Sequence, residues 1–266
     1  MMPKPDLLIC PKTHKRLFLS ERGDRIKTEL GEVSYPVHNQ MIDFCPDATG
    51  ASADAYNPIA THYDSLLTNA SFLSRLYNKI VWNVRDEDYI RTLMDFMPAN
   101  FSGILLDVPV GTGVFTAELY RKYPQATIFA LDYSPAMLLQ AQKRFRDAQL
   151  KNIQYLRGDV GCLPVQDATI DLVISMNGFH AFPHKEAAWD EITRVLKKGG
   201  KFIGCFYIRG KRPFTDFFIR QIYTRLGAFK APFWSENEVL ERLEQHYLIC
   251  RKGNYRSIFY FEAEKR

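Results

Sequence analysis

The chain has no cysteine pair at C-x-x-C spacing, and its five cysteines, Cys10, Cys45, Cys162, Cys205 and Cys250, are odd in number. A disulfide framework is therefore not expected, whereas a reducing compartment is. No apolar run approaches the roughly 18 residues of a membrane helix, and the N-terminus MMPKPDLLICPKTHKR has no signal h-region. A soluble, cytoplasmic protein without a membrane span is expected. Excess charge is also scarce: 35 Lys and Arg against 30 Asp and Glu leave +5, with a pI of about 8.8. The basic residues are not interleaved with aromatics as on a nucleic-acid-binding face. A mildly basic chain permits a nucleic-acid partner, but a slightly basic cytoplasmic protein is the simpler expectation.

What is present is 266 residues, 46% hydrophobic and 24% charged, enough for one large domain with a full core and a small appendage. The chain is organised around Gly103 to Asp132, GILLDVPVGTGVFTAELYRKYPQATIFALD. This stretch predicts a buried strand over 104–108, a tight turn over 109–113, a helix over about 115–122 and a second strand that ends in an acid. Gly111 and Gly113 lack a Cβ, so the backbone can turn sharply and approach a ligand. The following helix aims its free N–H groups at the same place. Asp132, 19 residues after Gly113, can accept hydrogen bonds from both hydroxyls of a ribose. A dinucleotide fingerprint lacks its third small residue here, since Val114, Phe115 and Thr116 follow, and no Lys-Ser/Thr pair makes the turn a phosphate loop. On these features alone, a nucleotide site and an ordinary strand-turn-helix with an unrelated acid both remain open.

LLDVPVGTG resembles the first motif of the class I S-adenosylmethionine (SAM) methyltransferases (type 11, UbiE-like), usually close to LDVGCGTG. Further segments follow in that family's order: Asp132-Tyr133-Ser134-Pro135 for D-x-S-P, Gly158-Asp159-Val160 for G-D-A, Leu163-Pro164 with DATIDLVIS, and EITRVLKKGG before the fifth strand. The resemblance spans about 100 residues. It implies an α/β fold, a Rossmann-like seven-stranded, mostly parallel sheet with an antiparallel last strand, and SAM as cofactor with S-adenosylhomocysteine as product. By the same resemblance, Asp107, Val108, Pro109, Gly111, Gly113, Asp132, Tyr133, Met137, Asp159, Val160 and Asn177 would hold the cofactor. Ser134 would cap a helix whose first turn contains Pro135. Pro109 departs from the family pattern, which usually has glycine there. Proline fixes φ near about −65° and removes a donor, but with Gly111 and Gly113 kept, SAM binding is expected.

Three regions are expected along the chain: 1–48, a small β module; 49–100, a linker and helical cap; and 101–266, the SAM-binding core with an apolar helical insertion at about 211–233. The first resembles a Trm112-like zinc ribbon at Cys10-Pro11 and Tyr35-Pro36. Cys10, His14, His38 and Cys45 are suitable zinc ligands, but their spacing is not a standard one. A metal-free ribbon with the cysteines as small apolar fillers is expected. In the cap, Tyr56 and Tyr63 would either cover the cofactor or pack the helices. In the insertion, Phe214, Phe217, Phe218, Ile222 and Leu226 share a helical face, which suits an acceptor lid, a dimer face or plain core. A capping box at Ser235 to Glu238 starts the next helix.

Methyl transfer asks the protein for alignment, water exclusion and, for a poor nucleophile, a base. His180, just after the fourth strand, is the candidate base, with packing beside Phe179 and Phe182 as the alternative. Tyr63, His180, Tyr207, Arg209, Phe214 and Phe218 are the candidate acceptor contacts. Three functions remain open: transfer to a small aromatic or apolar acceptor, which leads; an rRNA guanine methyltransferase; and a non-catalytic SAM-binding interaction module.

Overall fold

The computed structural model describes residues 4–46, 86–225 and 227–266. Tyr56, Tyr63, Leu226 and most of the expected helical cap lie outside them. The strands are β1 (Leu17–Leu19), β2 (Arg25–Thr28), β3 (Ser34–His38), β4 (Met41–Asp43), β5 (Ile104–Asp107), β6 (Thr127–Asp132), β7 (Ile153–Arg157), β8 (Ile170–Met176), β9 (Leu196–Tyr207), β10 (Tyr247–Tyr255) and β11 (Ile258–Lys265). The α-helices are α1 (Asp86–Met94), α2 (Ala117–Tyr120), α3 (Pro135–Asp147), α4 (Lys185–Val195), α5 (Pro213–Phe218) and α6 (Glu236–His246).

Together the strands form one sheet in the order β1-β2-β3-β4-β7-β6-β5-β8-β9-β11-β10. Its last seven strands are the expected Rossmann-like sheet. β7, β6, β5, β8 and β9 run parallel, and β11 lies antiparallel to both β9 and β10. Parallel strands covered on both faces read as unbroken apolar runs, and every residue of β6 is buried. Successive side chains alternate between two cores. Leu106, Phe129 and Leu156 pack with Trp189 of α4 and Leu243 of α6, whereas Leu105, Ile128 and Tyr155 pack with Leu93 of α1 and Phe145 of α3. The order of the strands reverses beside β5, which opens a crevice at the carboxyl ends of β5, β6 and β8.

The four N-terminal strands prolong this sheet. Three antiparallel pairings bring the chain to β4, which then joins β7 in parallel, with Met41 opposite Tyr155 and Asp43 opposite Arg157. Phe44 N–H donates to the Arg157 carbonyl at 2.8 Å, and the largely buried Arg157 guanidinium donates to Asp43 Oδ2 at 2.9 Å. Cys10 is buried with its sulfur 3.2 Å from the Tyr35 hydroxyl, and Cys45 is half-buried. Among the described residues no group of three or more His, Cys, Asp or Glu is arranged to hold a metal.

The insertion is helical, but its aromatic face points outward. α5 continues into a π-helical turn, Ile219–Tyr223, and the side turned to the core carries Thr215 and Ile219, both fully buried. Phe214 and Phe217 face solvent, contrary to a lid folded inward. The capping box forms: Ser235 Oγ accepts the Glu238 N–H, and Glu238 returns a bond to Ser235 N–H.

Candidate cofactor-binding site

The turn after β5 is built by strand bonds on either side of Pro109. Val108 N–H donates to Ile174 O and Val110 N–H to Leu131 O, each at 2.9 Å. Pro109 itself therefore breaks no strand hydrogen bond. Gly111 and Gly113 both take positive φ, +55° and +68°, a region that costs other residues strain. They differ in surroundings. A Cβ on Gly113 would stand 2.5 Å from the Phe145 ring, while one on Gly111 would meet nothing within 4 Å. Gly113 is thus demanded by packing, and Gly111 leaves open space for a ligand. Asp132 holds the turn in place: Oδ2 accepts the Gly111 N–H and Oδ1 the Ser134 N–H, both at 2.9 Å. Ser134 Oγ then accepts the Met137 N–H at 3.3 Å and caps α3, with Pro135 in its first turn.

These elements enclose a cavity of about 430 Å³, within the range of small-ligand sites. Of the residues expected at the cofactor, Val108, Pro109, Gly111, Asp132, Tyr133, Met137, Asp159, Val160 and Asn177 line it. Asp107 lines a smaller recess of about 50 Å³ that shares Pro109, Gly111 and Asn177 with the main cavity. Gly113 lines neither. Asp159 caps a short 3-10 turn by accepting the Gly161 N–H at 2.8 Å. Asn177 leaves β8 at φ +55°, and its amide donates to the Tyr89 hydroxyl of α1 at 3.0 Å. Ala181, Phe182, Pro183, His184 and Lys230 also line the main cavity. No motif marks them. Only their position just past the fourth strand was a signal for the first four, and Lys230 arrives from the far end of the insertion. Lys230 N–H donates to His180 O at 2.8 Å, and the buried Lys185 ammonium bonds the carbonyls of Phe182 and Lys230.

The site carries two buried carboxyls whose partners are hydrogen-bond donors rather than cations. Burial pushes the Asp107 carboxyl up to about 7, against the hydrogen bond its Oδ2 accepts from the Tyr120 hydroxyl at 2.5 Å. Burial likewise raises Asp132 to about 6, opposed by backbone N–H groups of Ser134, Gly111 and Tyr133. No Lys or Arg among the described residues draws either back down. Such a wall favours a ligand that brings positive charge to Asp107 and hydroxyl donors to Asp132.

The acceptor-side expectations fare differently. The base expected at His180 is corrected: its Nδ1 accepts the Tyr207 N–H at 3.3 Å, its ring stacks on Phe229 at 4.0 Å, and it lines neither cavity. Burial, helped by the Lys185 charge, lowers its pKa to about 3. With Nδ1 accepting, the imidazole proton sits on Nε2, so neither nitrogen is free to take another. Tyr207 is buried and donates to Asp216 Oδ1 at 2.6 Å, and Arg209 bonds the Phe233 carbonyl and Glu238. Phe214 and Phe218 pair on the insertion with centroids 4.7 Å apart. None of these four lines the cavity. Tyr63 lies outside the described residues.

Residues 105–200 match a family described as "Methyltransferase domain". An uncharacterised chloroplastic methyltransferase of Arabidopsis thaliana is 31% identical over 145 residues, covering 53% of this chain and 41% of that protein. The demethylmenaquinone methyltransferase of Deinococcus radiodurans is 37% identical over 99 residues, covering 37% of this chain and 41% of that protein. The chain thus spans about two fifths of the length of these relatives. A solved structure of geranyl diphosphate C-methyltransferase from Streptomyces coelicolor, with S-adenosylhomocysteine, superposes with a TM-score of 0.57 at 12% identity, covering 68% of this chain and 80% of that one. The fold is the mixed α/β, Rossmann-like fold of the methyltransferases.

Proposed function

We propose that the chain is a SAM-dependent methyltransferase that acts on a small aromatic or apolar acceptor. The observation that carries this reading is the gathering of nine expected cofactor residues, with Asp132 among them, around one cavity. The residues fit the cofactor. Asp132 keeps acceptor capacity for ribose hydroxyls, Asp159 and Val160 stand beside the apolar Met137 for a purine, and Asp107 offers negative charge to a cationic methionine end. Bound there, SAM supplies an activated methyl carbon, which an acceptor takes by in-line displacement while a neutral thioether leaves. The chain's own part is alignment and exclusion of water rather than a fixed base. Ala181, Phe182 and Pro183 give the wall near the end of β8 an apolar character that suits such an acceptor. The Deinococcus radiodurans relative, named for a quinone-type substrate, supports the same class.

The cofactor is tested by thermal shift. For a Kd of about 10 μM, about 1 mM S-adenosylhomocysteine stabilises the fold by about 2.7 kcal/mol through mass action. Asp132→Ala should remove most of that shift, and an unchanged shift would place the ribose elsewhere. Radiolabelled methyl transfer to quinones, phenols, small acids, thiols and RNA identifies the acceptor; labelled RNA in place of quinone or phenol would overturn the small-acceptor assignment. The N-terminal strands are read as a metal-free ribbon-like module, supported by burial of Cys10 against Tyr35. All five cysteines are unpaired, which suits a reducing cytoplasmic setting. No described helix is long and apolar enough to cross a membrane.

A further inference from the structure

α5 and the π-helical turn that follows it show solvent a patch of rings. Phe217 is 59% exposed, Phe214 46% and Ile222 40%. The patch is continuous, because Phe218 lies 4.7 Å from Phe214 and 6.2 Å from Phe217 between ring centroids. Its inner side is already used, with Thr215 and Ile219 fully buried.

Charge around the rings is one-sided. Residues 211–230 carry Lys211, Arg212, Arg220, Arg225 and Lys230 against the single acid Asp216. The Asp216 carboxylate is turned inward, accepting from the Tyr207 hydroxyl and the Gly210 N–H. Lys211 pairs with Glu236, but Arg220 and Arg225 stand exposed. Adjacent exposed rings mark an interaction surface. Rings flanked by cations match the boundary of an anionic bilayer, where aromatics enter the acyl layer and guanidinium groups meet headgroup phosphates. A symmetric contact between two copies would instead oppose these like charges.

We propose that α5 and the turn after it dock the chain on an anionic lipid bilayer. The insertion that carries the patch also supplies Lys230 to the cavity wall, so one segment serves both the docked face and the site. Delivery of an apolar acceptor from the bilayer would use this shared segment and rests on the methyltransferase reading.

The test is co-sedimentation of the full chain with vesicles of phosphatidylcholine alone or mixed with phosphatidylglycerol. Binding to the mixed vesicles only is expected, with loss in Phe217→Ser. Arg220→Gln combined with Arg225→Gln should lower the partition about thirtyfold, near fivefold per charge. Absence of binding to the mixed vesicles, or binding indifferent to Phe217→Ser, overturns docking. So does a dimer in light scattering that Phe217→Ser dissociates, which makes the patch a self-interface. A lowered thermal midpoint in Phe217→Ser without vesicle binding assigns it to packing within the chain and also overturns the proposal. S-adenosylhomocysteine affinity without vesicles, measured on the same samples, separates failure of docking from failure of the cofactor site.

Discussion

Replacing Asp107 by asparagine should make the protein more stable at alkaline pH and weaken its hold on S-adenosylhomocysteine. In the folded chain the Asp107 carboxyl is raised to about 7 from an ordinary value of 3.8, with burial as the leading cause. A raised carboxyl binds its proton more tightly folded than unfolded. Its contribution to stability is therefore fully present below about pH 4 and lost as pH rises through about 7. Above that, the buried anion costs about 4 kcal/mol, at about 1.4 kcal/mol for each tenfold change in its proton affinity. Asparagine removes the charge and keeps an oxygen to accept the Tyr120 hydroxyl, but its amide donors cost about 1–3 kcal/mol if unmet. The variant should gain about 1–3 kcal/mol near pH 8.5 and about nothing near pH 5.5, where the wild-type carboxyl is mostly protonated. Asp132, raised to about 6, is the smallest of the influences on Asp107, so its own titration changes little between the two proteins. Urea unfolding without ligand reads this through the buried Trp189 and Trp234. An equal loss of stability at both pH values would refute the reasoning, because it would mean that Asp107 stabilises the fold as an anion.

Two further predictions follow from the same geometry. Gly113→Ala should destabilise the fold by well over the roughly 1–2 kcal/mol of left-handed strain, because its methyl meets the Phe145 ring; Gly111→Ala should incur only that strain yet weaken S-adenosylhomocysteine binding more than its stability change explains. Denaturant midpoints and calorimetric titration separate the pair, and equal effects on both quantities would reject the distinction. The pH–rate profile of methyl transfer should show no ionisation of His180 between about pH 5 and 8, since its imidazole stays neutral there; an inflection near pH 6.5 that disappears in His180→Gln would restore it as the base.

Much of the candidate cofactor site is legible in the sequence because its signals are local. Gly111, Asp132 and Ser134 act through backbone geometry that a short stretch of sequence encodes: a turn, a strand end and a cap. The same holds for Asp159, which caps a turn two residues on. Lys230 and Phe182 were not legible, since each reaches the cavity through packing between distant segments. His180 misled for a related reason. Its place after β8 suits a base, but burial and the Tyr207 N–H decide its protonation, and neither is written beside it in the chain. The insertion shows how periodicity can identify an apolar face without orienting it: Thr215 and Ile219 turn inward and leave Phe214 and Phe217 outside. Pairing of β4 with β7 was invisible for want of any nearby partner.

That pairing has a consequence for how the chain is made. Met41 lies opposite Tyr155, and 155 − 41 = 114 residues separate them. At synthesis rates of about 5–20 residues per second, the ribosome needs about 6–23 s to deliver β7 after β4. Meanwhile β1 to β4 can pair among themselves, but the outer edge of β4 offers its N–H and C=O groups to any strand that comes by. The N-terminus, although translated first, therefore completes its fold late, and the nascent protein passes through a stage in which a chaperone has an open edge to guard.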